Sequence, residues 1–264
     1  MAFVEQSPGL PEALRGEMVP KFLATRSADG TPNVVPVVSI KLAEDRPDTL
    51  FFGNFLLRKS IRNLEQDPRV GILVITEALQ GWILQGEFLE FQRTGPYVER
   101  QMSSPLLRYN AYTGIRNAGL IRVEAVRGAF ALSRLQVARD FLLTRLAALW
   151  AHPQPGVTMP LPVRREFAKM VAVKVLAWVG DDGYPQVVPA LALQPAGVGS
   201  LIWRRGTREL PAPPPGAPVA ANILTFEAIS YQARGRWTGS GRTGALQVQE
   251  VYAGGPPIPG GRVA

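Results

Sequence analysis

The chain has 264 residues, 46% of them hydrophobic, and a formal net charge of +8 carried by 24 Arg and 5 Lys against 21 acidic residues. That apolar fraction can build a core, which excludes wholesale disorder. The absence of Cys excludes disulfides, thiol nucleophiles, iron–sulfur clusters and Cys-ligated zinc, and a single His152 leaves no His-rich metal site and little room for a Ser-His-Asp triad.

The first residues, Met1-Ala2-Phe3-Val4-Glu5-Gln6, lack a basic stretch followed by an apolar one. No apolar run approaches the ~20 residues that span a bilayer. The expectation is a soluble cytoplasmic protein without a membrane partner. The cations are not clustered among aromatics as a nucleic-acid face requires, so no nucleic-acid partner is expected.

In chain order, a β-prone segment at 21–26 leads through Asp29-Gly30, a tight turn in which Gly tolerates positive φ, into a second strand at 34–41. Leu50-Phe51-Phe52 is the third strand, 59–66 a short helix ended by Pro68, and 70–76 and 82–88 the next strands. An insertion at 95–117 holds a short helix near 97–102, and the strand at 119–126 closes this half. In 135–151, Leu135, Ala138, Phe141, Leu142, Leu146 and Leu149 form a helical apolar stripe, read as interdomain or core packing. Residues 152–162 hold four prolines and no periodic pattern, and are read as a linker.

Beyond it the pattern starts again. Asp29-Gly30-Thr31-Pro32-Asn33-Val34-Val35-Pro36 returns as Asp182-Gly183-Tyr184-Pro185-Gln186-Val187-Val188-Pro189. Leu50-Phe51-Phe52 then pairs with Leu201-Ile202-Trp203, 70–76 with 219–225, 82–88 with 231–237, and 119–126 with 244–251. Matched segments in the same order imply duplication. Each half reads as about six short strands, the pattern of a small barrel. The predicted organisation is a first barrel at 1–151, the linker at 152–162 and a second barrel at 163–264. Asp181-Asp182 falls in the second hairpin turn and reads as a turn former.

One segment carries chemistry. Arg58, Lys59 and Arg62 cluster at the first turn of the 59–66 helix, where the helix dipole disfavours cations. A bound anion, most naturally a phosphate held by free N–H groups and these cations, relieves that conflict. On this segment alone a solvated basic turn is an equal reading. The matching stretch of the second half, Arg204-Arg205-Gly206-Thr207-Arg208-Glu209-Leu210-Pro211-Ala212-Pro213-Pro214-Pro215, keeps Arg208 but has too many prolines for a helix.

The order strand, Asp-Gly-x-Pro turn, Val-Val-Pro strand, Leu-Phe-Phe-Gly-Asn strand, Arg-Lys-x-x-Arg-Asn-Leu helix and Asp-Pro-Arg-Val resembles the pyridoxamine 5′-phosphate oxidase-like, FMN-binding split-barrel family. It covers most of 18–131 and, more weakly, 168–260, where Tyr231-Gln232-Ala233-Arg234-Gly235 and Val251-Tyr252 also suit the family. The resemblance implies a mainly β fold with α additions: two tandem Greek-key, six-stranded split barrels packed as a pseudo-dimer. It gives Arg58 and Lys59 the FMN phosphate, with Ser60 and Arg62 as neighbours, and sets Gly53 and Asn54 beside the ribityl chain or phosphate. It runs Val35, Pro36 and Val37 along the isoalloxazine edge and adds Gln80 and Trp82 as contacts.

Members of this kind are homodimers with flavin between barrels, so the duplicated chain is expected as a pseudo-dimeric monomer or a homodimer. One flavin is clamped by the first half, and the second half walls the site. The implied function is an FMN-dependent oxidoreductase acting on a small molecule of unknown identity, with no assigned catalytic residue and no metal. The alternatives are an F420-dependent reductase and a non-catalytic flavin or haem carrier or sensor. Pyridoxamine-phosphate oxidation itself is disfavoured, because the chain ends Gly/Pro-rich with Arg262 alone and shows no substrate-binding Arg motif.

Overall fold

Short Val- and Ile-rich segments, most of them buried at nearly every position and punctuated by Gly and Pro, form the strands. The computed structural model describes residues 6–55, 57–104, 115–151, 157–206, 210–239, 242–254 and 260–264. Its first half contains β1 (Lys21–Arg26), β2 (Pro32–Pro36), β3 (Lys41–Leu42), β4 (Thr49–Gly53), β5 (Arg69–Ile75), β6 (Gln80–Gln92) and β7 (Ala118–Ala131). The second contains β8 (Val173–Val179), β9 (Pro185–Pro189), β10 (Gln194–Pro195), β11 (Ser200–Arg204), β12 (Pro218–Leu224), β13 (Ser230–Thr238) and β14 (Thr243–Ala253). Among the described residues five helices accompany them: α1 (Leu10–Arg15), α2 (Arg58–Gln66), α3 (Pro96–Met102), α4 (Arg134–Trp150) and α5 (Leu161–Phe167).

The strands form two seven-stranded antiparallel sheets, ordered β2-β1-β5-β6-β7-β4-β3 and β10-β11-β14-β13-β12-β8-β9. Read from its other edge, the second order is the first with every strand number raised by seven. The duplication extends to single hydrogen bonds. Val37 N–H donates to the Lys21 carbonyl as Ala190 N–H does to Lys174, and Ile40 bonds Val37 as Leu193 bonds Ala190. In both turns the glycine (Gly30, Gly183) sits at φ 78, where a side chain is strained. This is the split-barrel architecture in tandem. The expected six strands become seven because β3 and β10, two residues each, are too short to leave a periodic pattern. Helix α5 begins at Leu161, inside the stretch read as linker.

The halves meet along β1, β2 and β5 of the first barrel and β8, β9 and β12 of the second, each contact matched by its reciprocal. The seam is apolar: Phe22, Ala24, Val34 and Leu73 join the buried cluster of Val175, Ala177, Val187 and Ala221. The first barrel keeps a separate core around Leu10, Phe52, Leu64, Ile72 and Trp82. The barrels approach closely where Gly71 of β5 meets β9, since a Cβ there would lie 2.1 Å from the Pro185 carbonyl oxygen.

Helix α4 departs from its expected role. Phe141 is buried, but Leu135, Leu142, Leu146 and Leu149 face solvent. The side turned inward carries Asp140 and Thr144 as well as Phe141.

Candidate functional site

Helix α2 is held from beneath and along its flank. Leu64 is part of the first-barrel core. Asn63 Nδ2 donates to Thr25 Oγ1 at 3.0 Å, and Asn33 Nδ2 donates to Ser60 Oγ at 3.1 Å. At the C-terminal end Asp67 pairs with Arg26 at 2.8 Å and Arg69 at 2.7 Å. Burial pushes the Asp67 carboxyl up, but the Arg69 hydrogen bonds and the charges of Arg26 and Arg69 prevail and hold it below its ordinary value.

The N-terminus of α2 has no such partners. Its cap position is Leu57, no side chain caps the free N–H groups, and the first turn has no acidic residue. Arg58 and Arg62 are exposed and Lys59 half-buried, and among the described residues no carboxylate pairs with any of the three. The Lys59 ammonium lies 4.7 Å from the ring centroid of Tyr252 on β14, and the Arg234 guanidinium lies 5.7 Å from the same ring. Tyr252 Oη donates to Glu250 at 2.9 Å, and Glu250 also holds Arg234 and Arg262 at 3.4 and 3.5 Å. Burial, then the Glu250 hydrogen bond, raises the Tyr252 hydroxyl above its ordinary pKa. Lys59 of one barrel thus abuts a tyrosine of the other.

The other segments singled out by the sequence are β2 and the end of β4. Val35 and Pro36 are half-buried and Val37 buried. Gly53 N–H donates to Ser39 Oγ at 3.2 Å, tying β4 to the segment after β2. A Cβ on Gly53 would come within 2.9 Å of the Phe55 ring, so this corner accepts no side chain without rearrangement. Asn54 is buried, its N–H bonded to Asn117 O and its carbonyl to Arg116 N–H, and the chain then runs into α2. Beyond Arg234 and Glu250 a cleft of about 420 Å³ opens along the seam, lined also by Asp29, Thr31, Arg236 and Arg262.

The structure therefore sets Gly53 and Asn54 just ahead of α2 and Arg58, Lys59 and Ser60 in its first turn, with Arg62 one turn along on the exposed face, whereas Val35, Pro36 and Val37 run along β2 toward the Lys21 end of β1, away from the hairpin. Ser60 is turned inward onto Asn33. Gln80 and Trp82 lie elsewhere. Gln80 is exposed at the start of β6, and Trp82 sits in the first-barrel core. Trp82 pairs with Val74 opposite Lys21, at the end of β1 away from the hairpin, whereas Thr25 and Asn33, which hold α2, lie at the hairpin end.

The corresponding place in the second half is built differently. Trp203 pairs with Gly244 as Phe52 does with Gly119, so Arg204 stands where Gly53 stands. No helix follows in residues 210–217, and Arg208 lies outside the described residues. Helix α4 lies against β10 and β11 instead. Its buried Asp140 lies 3.8 Å from Arg204 Nε, so close to Gly206 that a Cβ there would come 2.1 Å from Asp140 Oδ2. Gln136 Nε2 donates to Gly206 O at 2.9 Å. Only about 30 Å³ remains between these elements.

Sequence reasoning assigned no role to Gln232, whose Nε2 donates to Val34 O at 2.6 Å and Asn33 Oδ1 at 3.2 Å across the seam. It did not place Tyr252 against Lys59. The available signal was the repeat: 82–88 against 231–237 sets Gln232 opposite the aliphatic Ile83, a polar residue where its counterpart is apolar.

The sequence model described as pyridoxamine 5′-phosphate oxidase matches residues 19–138. No curated protein sequence matches the chain. Among solved structures, an FMN-binding protein from Syntrophomonas wolfei subsp. wolfei is 15% identical over 50% of this chain and 88% of that one, with a TM-score of 0.41. HupZ of Group A Streptococcus is 23% identical over 47% of this chain and 91% of its own, TM-score 0.36. HutZ, the heme storage protein from Vibrio cholerae, is 17% identical over 50% and 95%, TM-score 0.36. Residues 19–138 are thus similar to the pyridoxamine 5′-phosphate oxidase family, and the second half of the chain repeats the strand order of the first.

Proposed function

We propose that the chain binds one FMN at the barrel seam and serves as a flavin-dependent oxidoreductase. The observation that carries this reading is the uncapped N-terminus of α2, with Arg58 and Lys59 unpaired by any described carboxylate and Lys59 lying on Tyr252 of the opposite barrel. A phosphate fits there because the free N–H groups, the dipole and two cations all favour a dianion. Val35 and Pro36, the half-buried end of β2, offer a surface along which a planar ring can lie.

Bound flavin supplies two-electron transfer, and the chain supplies orientation, electrostatics and exclusion of water. Lys59 and Arg58 hold the phosphate, Tyr252 fixes Lys59, and Gln232 locks β2 to the second barrel. A deazaflavin fits the same clamp, and the absorption spectrum of the co-purifying ligand separates the two.

The test is Arg58→Ala with Lys59→Ala, followed by FMN titration monitored through flavin fluorescence. Losing two charge-assisted contacts should weaken binding by about 100-fold or more, with an unchanged far-UV circular dichroism spectrum. Undiminished FMN affinity in the double variant would refute the clamp. Reduction of the bound flavin by NADH or NADPH favours an enzyme over a carrier.

A further inference from the structure

We propose that the outer face of α4 is an interface through which two copies of this chain associate. Along this helix Leu135 is 84% exposed, Leu142 60%, Leu143 36%, Leu146 55%, Leu149 76% and Trp150 80%. Leu135, Leu142 and Leu149 recur every seven residues and Leu146 lies between the last two, so four leucines share one stripe flanked by Leu143 and Trp150. These exposures amount to about four fully exposed large side chains. At ~150–200 Å² each that is ~600–800 Å². Monomers seldom leave so large a contiguous apolar patch in water, and a standard interface takes ~800 Å² from each partner.

The stripe is self-complementary. With a two-fold axis crossing the outer face at the level of Thr144, which itself points inward, and the helices antiparallel, Leu142 meets Leu146 of the partner subunit, and the reverse contact repeats it. The same register sets Arg139 beside Leu149 of the partner subunit and Arg145 beside Leu143 of the partner subunit. No arginine then faces its equivalent, and each stem covers a leucine while the guanidinium reaches water.

A lipid surface fits the face less well. Arg139, four residues after Leu135 and three before Leu142, borders the leucine row on the same side of the helix. An interfacial helix keeps such charges on the opposite face. Asp140, the one acid on α4, is buried and pairs with Arg139 at 3.5 Å, so the two helices bring six arginines against two inward-facing carboxylates. Added salt, which screens arginine repulsion, should therefore strengthen the dimer, whereas docking on anionic lipid weakens with salt.

Sedimentation equilibrium of the full chain at low and high salt tests this. The expected result is a dimer that tightens with salt. Leu142→Glu with Leu146→Glu should weaken it by at least about 100-fold, with the melting temperature of the variant monomer unchanged because both side chains are exposed. Leu142→Ala with Leu146→Ala, which keeps helix propensity, should give a smaller shift in the same direction. A wild-type chain monomeric at all concentrations tested, or a dimer that survives the glutamate pair, overturns the proposal. So does flotation of monomeric wild type, but not the glutamate variant, with phosphatidylserine vesicles.

Discussion

Two lysines hold the same place in the repeat. Lys21 donates to the carbonyls of Gly16 at 2.6 Å and Val38 at 3.3 Å, and Lys174 donates to Leu193 O at 2.9 Å. Burial lowers Lys174 to about 7, and burial followed by the Lys41 charge lowers Lys21 to about 8, from an unfolded value near 10.5. Above about pH 7 the folded chain has released the Lys174 proton while the unfolded chain keeps it until near 10.5. The unfolded state then binds more protons, so stability should rise with pH across this window, by up to about 1.4 kcal/mol per unit for Lys174, and Lys21 should add to the slope above about pH 8. Urea unfolding at pH 7, 8 and 9 measures the slope, and Lys174→Met should flatten it. Gln232 makes a second prediction at this scale. Gln232→Ala strips the buried Asn33 and Val34 oxygens of their donor and should lower stability by about 1–3 kcal/mol in urea titration.

Among the elements, α2 and the hairpins were legible because their signals are local. Pro68 stops the helix, Ile61 and Leu64 mark its inner side, and Asp-Gly sets each turn. The expected helix at 59–66 begins one residue earlier in the structure, at Arg58. Helices α1 and α5, with six and seven residues, escaped notice because less than two turns leaves no periodicity. Helix α4 was found, but its orientation was not legible. Apolar residues lie on several of its sides, so spacing alone could not tell which side the second barrel would cover. How the elements dock makes its own prediction. Gly71→Ala drives a Cβ into the Pro185 carbonyl and should destabilise the chain by about 1–3 kcal/mol or more, whereas Gly128→Ala, with nothing within 4 Å, should be nearly neutral by thermal melt.

At the scale of the whole molecule, two barrels of one topology diverge after the fourth strand of each. The first continues into a helix whose first-turn cations no described carboxylate pairs, and the second into a proline-rich stretch beside which α4 lays the Asp140 carboxylate. Such a chain should hold one flavin, not two. Flavin absorbance per mole of chain after saturation should approach one, and a value of two would show a working site in the second half.

From the amino-acid sequence alone come the duplication, the order of strands along the chain, the position of the cation-rich helix and the loss of its counterpart. All of these rest on short-range patterns of turn residues, periodicity and proline. The folded molecule was needed to show that Lys59 rests on Tyr252, that Gln232 reaches Asn33 across 199 positions, that Trp82 belongs to the core and that the leucines of α4 point outward. Each of these depends on which surfaces the two barrels bury against each other. That choice rests on the summed packing of elements far apart in the chain, which no local pattern encodes.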